Sequence, residues 1–242
     1  MIERINFWGI PEIWHYVAYV LPMLAAFFML ARVYMRLRLY WKVGRSENRR
    51  DRLPLRLWQL IQHGILQLKV LRQTYPGLMH VTIAWSFFIF FLGTALATID
   101  ADFFKFLRGD IYLLFKLGLD VFTVIALVGL AMAAYRRFVQ KPDRLTLSRQ
   151  FGMALVVLFL IVLSGLLTES LRLAAIAQQP ELQPGWDESL AWWTPSGWIT
   201  AQLWLGLGIT IPMLESIHLG TWVFHLGLIS AFFVLMPTNT MI

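Results

Sequence analysis

The chain has 242 residues, 58% hydrophobic and 15% aromatic, with mean hydropathy +0.63 and a formal charge of +7. That is too apolar for a water-soluble domain, and the lack of cysteine excludes an iron–sulfur cluster, a thiolate zinc site or a disulfide framework within it. The charge is clustered: of 21 Lys and Arg, eleven lie between Arg32 and Arg72 and five between Arg136 and Arg149, with only Glu47, Asp51 and Asp143 among them. This is the positive-inside pattern of a membrane protein, so lipid is an expected partner and nucleic acid is not.

In chain order, five apolar stretches approach the roughly 20 residues a bilayer demands. They cover residues 13–34, 77–99, 112–135, 151–176 and 211–235. The expected fold is an all-α membrane protein of five transmembrane helices, a single domain over residues 1–242. The start, Met1-Ile-Glu-Arg-Ile-Asn6, lacks the basic region and short apolar core of a cleavable signal peptide. Tyr75-Pro76-Gly77 breaks the chain before the second span, and Pro237 closes the fifth. The basic segments follow the first and third spans, which puts the N-terminus outside and the C-terminus in the cytoplasm. The acidic stretches Asp100–Asp102 and Glu181–Glu188 then fall outside.

Two stretches do not span. Residues 57–72 place apolar residues at helical spacing beside Gln59, Gln62, His63 and Lys69, which predicts a helix on the cytoplasmic interface. Residues 177–205 carry Pro180, Pro184 and the tryptophans 186, 192, 193, 198 and 204. Tryptophan favours the headgroup level, so this predicts a loop and a surface helix on the outer face.

Depth sorts the five histidines. His63 reads as an ordinary surface residue. His80 lies about 5 Å inside the cytoplasmic boundary at roughly 1.5 Å per residue, and His15 a similar distance inside the outer one. His218 and His225 stand two turns apart in the fifth span, about 10 Å and about 20 Å down. His80 and His225 therefore approach one depth, and His15 and His218 another; a later start to the fifth span favours His15 with His225 instead. Two imidazoles between packed apolar helices suit the axial positions of a heme. Gly77, Gly93, Gly220 and Gly227 would let a flat macrocycle approach the backbone, and Arg72, Arg136 and Arg137 are placed to meet propionates. Zinc lacks a carboxylate or thiolate at matching depth. The plain alternative is that the histidines only hydrogen-bond across helices.

Three motifs carry a resemblance. Tyr75-Pro-Gly-Leu-Met-His80-Val-Thr-Ile-Ala-Trp-Ser-Phe87, followed by Gly93-Thr94, resembles the second helix of nitrate-reductase gamma-subunit-like cytochromes b. The closest likeness is to the membrane module of heterodisulfide-reductase-related iron–sulfur oxidoreductases, which include electron-transfer-flavoprotein:menaquinone oxidoreductases and the sulfite-reductase-associated membrane subunit. Leu163-Ser-Gly-Leu-Leu-Thr-Glu169-Ser-Leu-Arg172 resembles their fourth helix, and Trp222-Val-Phe-His225 with Leu235-Met-Pro237 their fifth. The resemblance implies a five-helix bundle with one or two b-hemes, heme iron on His80 and His225, electron exchange with a quinone, and a cytoplasmic iron–sulfur protein or domain. It also implies a bacterial or archaeal cytoplasmic membrane. Two departures matter. A further ligand position three turns after His80 is Phe90 here, which leaves His15 or His218 as substitutes or one heme missing. A family histidine soon after Pro237 would fall beyond Ile242, so a longer polypeptide is expected.

Charged residues within the spans complete the candidate set. Lys116 and Asp120 are four apart and can pair on one helix face, as can Glu169 and Arg172 at spacing three. Each can simply offset its neighbour. The functional reading places Glu169, Arg172 and Glu215 in an outer quinone pocket and leaves Asp120 open as a proton-path residue. The alternative to the whole reading is a heme-free membrane anchor or assembly subunit.

Overall fold

The structure is a computed structural model that describes residues 2–45, 51–143 and 149–238. Glu47, Arg49, Arg50 and Arg144 of the basic segments, and the C-terminal stretch 239–242, lie outside them. The described residues form α1 (Glu12–Val43), α2 (Leu53–Gln59), α3 (Thr74–Asp102), α4 (Gly109–Tyr135), α5 (Arg149–Gln178), α6 (Pro195–Gly206) and α7 (Ile211–Thr238), with no strand among them. Helices α1, α3, α4, α5 and α7 are long and apolar enough to cross a membrane. Each contains one of the expected spans, and α1 runs nine residues further, through Arg36, Arg38 and Lys42. α7 continues through Pro237 to Thr238.

Two expected elements differ. The helix expected over 57–72 is instead α2 from Leu53, a π-helical stretch Leu60–Ile65 and a short 3₁₀ turn Val70–Arg72. Pro54 suits the first turn of a helix, which moves the start forward. Gln67 takes a φ of 54°, which ends the run. The expected outer surface helix is α6, and one face of it is built into the core: Gly197, Trp198 and Ala201 are buried against α5, while Ile199 and Leu203 stay exposed. Trp204 Nε1 donates to Ser170 Oγ on α5 at 2.9 Å.

The long helices pack in a row. α7 lies against α1 on one side and α5 on the other; α5 also meets α4, and α4 meets α3. The row turns back on itself at one end, where Tyr19 of α1 donates to Asp102 of α3 at 3.2 Å. That end, the tryptophan end, gathers the starts of α1, α4 and α7 and the finishes of α3 and α5. The opposite end is the basic end.

Packing density is uneven along the axis. The main core sits at the tryptophan end, where Trp8, Leu171, Leu173, Trp198 and Leu214 are buried together. A second cluster beside it joins Ile2, Leu107, Tyr112 and Leu113. Elsewhere the helices show apolar surface outward: α1 buries only Ala25 and exposes Met23, Leu24, Phe27 and Leu30. Such faces suit lipid tails, a solvent in which close helix contact depends on small residues. Gly129 of α4 is the sharpest case. A Cβ there would lie 2.4 Å from Thr82 Oγ1 and 2.9 Å from Ile83 Cγ1 of α3. Gly129→Ala is expected to push α3 from α4 and to cost about 1–3 kcal/mol, the range for overpacking, read as a lower unfolding midpoint in detergent.

Candidate functional site

The charged groups of α4 and α5 meet beneath the tryptophan end. Arg172 donates from Nη2 to both oxygens of Glu169, at 2.8 and 2.6 Å, and from Nε to Oε2 at 3.1 Å. The expected pair is present in a forked form, which suits a planar guanidinium. Lys116 Nζ lies 3.6 Å from Glu169 Oε1 and 5.6 Å from the centre of the Tyr112 ring. The Tyr112 hydroxyl receives long contacts from Arg172 at 3.5 Å and from Gln183 Nε2 at 3.4 Å. Arg4, from the segment before α1, is within electrostatic reach of Arg172, Tyr112, Asp100 and Glu169. Burial first, and the Arg172 charge next, hold the Arg4 guanidinium below its ordinary pKa. The Glu169 carboxylate thus faces Arg172, Lys116 and Arg4, which leaves a surplus of positive charge. Side-chain exposure is 4% for Lys116, 11% for Arg172 and 31% for Glu169, so the carboxylate is the outward-facing member.

The expected Lys116–Asp120 pair is not formed. Lys116 turns to Glu169, and Asp120 caps α6. Asp120 Oδ1 accepts from Ser196 Oγ at 2.7 Å and Gly197 N at 2.9 Å, and Oδ2 accepts from Ser196 N at 3.0 Å. A carboxylate at a helix N-terminus meets unsatisfied N–H groups and the positive end of the dipole, a better partner than an ammonium already claimed by Glu169. This gives Asp120 a structural role in place of the proton-path reading.

Each histidine has a distinct setting. His218 is 3% exposed, its Nδ1 has no hydrogen-bond partner, and its ring meets Trp8 edge-on at 4.8 Å. It is within electrostatic reach of Arg172 and Glu169. An unpaired polar nitrogen at that burial is costly unless something binds it. His15 does not share this site. Its Nε2 is 3.0 Å from the Ile10 carbonyl oxygen, and its ring stacks on Phe7 at 4.1 Å. Glu215 also stands apart: it lies beneath Gly9, and among the described residues no hydrogen bond or ion pair joins it to Glu169 or Arg172. His63 and His80 are exposed.

His225 is oriented by α5. Ser164 Oγ donates to the Leu160 carbonyl at 2.6 Å and lies 2.9 Å from His225 Nδ1. The hydroxyl has one proton and gives it to the carbonyl, so it accepts from Nδ1–H. Nε2 is then the nitrogen with a free lone pair for a metal, with Ser164 as the outer partner that fixes the ring. Gly165 gives the ring its room: a Cβ there would lie 3.2 Å from His225 Cε1. His225 therefore fits as an axial ligand. His80 is carried by α3, which packs on α4, whereas α7 packs on α5 and α1. A macrocycle would hold two ligand helices apart, so a lack of close α3–α7 packing is compatible with a shared heme and does not by itself argue for one. Of the glycines expected at a macrocycle, Gly77 and Gly93 are used by the protein, against Val70 and Leu119, while Gly220 and Gly227 border open space. Ser164→Ala should leave the fold intact and loosen His225, by about 10-fold or more in metal affinity, the usual loss for an outer-shell partner. A heme titration of wild type and variant measures it.

No family model matches the chain, and no solved structure matches it. The chain is 28% identical over 201 residues to an EtfAB:quinone oxidoreductase of Syntrophomonas wolfei subsp. wolfei (strain DSM 2245B / Goettingen). It is 25% identical over 203 residues to a probable iron-sulfur-binding oxidoreductase, FadF, of Bacillus subtilis (strain 168). Both relatives are oxidoreductases. The matches cover 81% and 83% of this chain but 28% and 27% of the relatives, so the chain spans little more than a quarter of their length.

The sequence pointed to Glu169, Arg172, His218 and His225, but not to Arg4, Trp8, Tyr112, Lys116 as partner of Glu169, or Ser164 as partner of His225. Ser164-Gly165 lies inside the fourth-helix motif quoted above and was the available signal for the His225 setting. Arg4 and Trp8 precede the first span and carried none.

Proposed function

We propose that the protein is the membrane electron-transfer module of a quinone-linked oxidoreductase. The tryptophan end takes quinone or quinol on the outer side of a bacterial or archaeal cytoplasmic membrane, and the basic end faces a cytoplasmic iron–sulfur protein or domain. The carrying observation is the orphaned Nδ1 of buried His218, set beside the Glu169–Arg172–Lys116 cluster. A quinone head group has opposed oxygens that alternate between carbonyl and hydroxyl. His218 Nδ1 can hydrogen-bond one of them, and the positive surplus of Lys116 and Arg172 favours negative charge developing there. Glu169, bonded to Arg172 and paired with Lys116, fixes both cations beside that position. The two relatives, an EtfAB:quinone oxidoreductase and a probable iron-sulfur-binding oxidoreductase, agree with this reading.

A b-type heme, when bound, would supply one-electron transfer between the two ends. His225 would hold it through Nε2, with Ser164 fixing the ring; His80 is the proposed second ligand, and Arg136 and Arg137 the proposed propionate partners. Whether one or two hemes are carried turns on His15 and His218. His15 is committed to Ile10 and Phe7, which favours a single heme with His218 left for the quinone. One observation favours the anchor reading instead: His80 is exposed on α3, without the buried setting that His225 has. Addition of a menaquinol analogue to the purified, oxidised protein separates the two. Heme reduction in wild type, lost in Glu169→Gln and His218→Gln with the heme content unchanged, supports the module. No reduction in wild type refutes the quinone site.

A further inference from the structure

The segment before α1 is tied across the tryptophan end as a strap. Ile2 O accepts from Gly109 N at 2.8 Å, and Arg4 N donates to Leu107 O at 3.3 Å. These two bonds bracket an antiparallel bridge between Glu3 and Arg108, whose side chains also pair at 3.4 Å. Gln183 Nε2 donates to Glu3 O at 2.7 Å. The strap then crosses to α7 and α1. Trp8, 8% exposed, covers the His218 ring; Gly9 lies on Glu215; Phe7 covers His15. Phe7 holds a φ of 53° and Gly9 a φ of 63°. A bulky residue in the left-handed region is an outlier that surrounding contacts must enforce. Here those contacts are aromatic: Phe7 stacks on His15 and meets Tyr19 and Trp222 edge-on.

His218 is buried, so something must move before any ring reaches its Nδ1. Of the groups against it, Trp8 is the one carried by a segment outside the spans. Its indole is flat, aromatic and of quinone-ring size, and it lies edge-on against the His218 ring at 4.8 Å. The strap joins the bundle through few hydrogen bonds at residues 2–4 and through the buried side chains of Ile2, Trp8 and Ile10, so its displacement unpacks those three.

We propose that the strap, residues 2–10, is the moving wall of the quinone site, pivoting where it joins α1 at Pro11, and that Trp8 occupies the ring position against His218 until a quinone displaces it. This rests on the quinone reading given above. It makes Trp8 a specificity-determining residue: the ring that enters must compete with an indole for the same face.

A reversible lock tests it. Hydrogen bonds that flank rather than join Glu3 and Arg108 make them a non-hydrogen-bonded pair, with Cα atoms about 4.5 Å apart, inside the roughly 4.4–6.8 Å a disulfide spans. The 242 residues contain no cysteine to compete. In the 242-residue protein carrying E3C/R108C, oxidation should slow quinol-driven reduction at least 10-fold, and thiol reductant should restore it. Histidine modification by diethyl pyrocarbonate, with the His218 peptide read by mass spectrometry, needs no quinone: His218 should be protected in the oxidised form, reactive in the reduced form and most reactive in Trp8→Ala. Equal His218 modification in oxidised and reduced forms overturns the strap as a wall. If modification follows the lock but wild type does not react with quinol, the strap stands and the quinone reading falls. Quinol reaction at equal rates in both forms overturns the proposal while leaving the quinone site in place.

Discussion

Replacing Glu169 by alanine is expected to destabilise the tryptophan end by about 3 kcal/mol, near the lower edge of the loss for breaking a buried ion pair. The carboxylate is the anion that Arg172 and Lys116 share, at 2.6 and 3.6 Å, and its removal leaves two nearly buried cations facing each other. The lower edge applies because Glu169 keeps about a third of its exposure, which lets solvent relieve part of the charge. Lys116→Met should cost less, because it removes surplus charge and leaves the forked Arg172 bonds in place. The ordering is the checkable content. Unfolding in detergent should rank Glu169→Ala well below Lys116→Met, and a reversed order would mean that Lys116, not Arg172, is the main partner of Glu169.

Loss of the Asp120 carboxylate is expected to be equally severe, for a different reason. Asp120→Ala leaves Ser196 N, Ser196 Oγ and Gly197 N without their acceptor in a buried place. A buried donor left unsatisfied costs about 1–3 kcal/mol, so a total of about 3 kcal/mol is expected even if the groups partly relax. The damage should be local first. Hydrogen exchange should rise across the first turn of α6 before it rises in α5. Gly197 stands between Asp120 and Glu169, with its Cβ position 3.6 Å from Asp120 Oδ1 and 3.5 Å from Glu169 Cγ. Displacing α6 therefore disturbs the carboxylate beside it, and quinol reactivity should fall with the cap. Asp120→Asn, which keeps one acceptor, should recover part of both.

How far the chain was legible varies with the range of the interactions. The five long helices were readable because a run of apolar residues needs no partner to declare itself. The forked Glu169–Arg172 pair was readable because spacing three fixes neighbours on one helix. Lys116 and Asp120 were misread by the same rule: spacing four permits a pair, but a carboxylate on the next helix and a helix N-terminus were better partners, and neither is visible along α4. The half-burial of α6 was not readable, because its tryptophans signal an interface whether that interface is lipid or protein. Arg4 and Trp8 were missed because a short segment before a first span has no periodicity to read; only folding brings it across to His218. Depth and motif single out His225 as a candidate, but the serine on α5 at its Nδ1 shows only once α7 packs on α5.

The reduced-minus-oxidised absorption spectrum of the purified protein, recorded beside His225→Ala, decides whether the bundle is an electron-transfer module. An α-band of b-type heme is expected in wild type and its loss in the variant. Absence of that band at every potential, or an unchanged band in His225→Ala, would contradict that role.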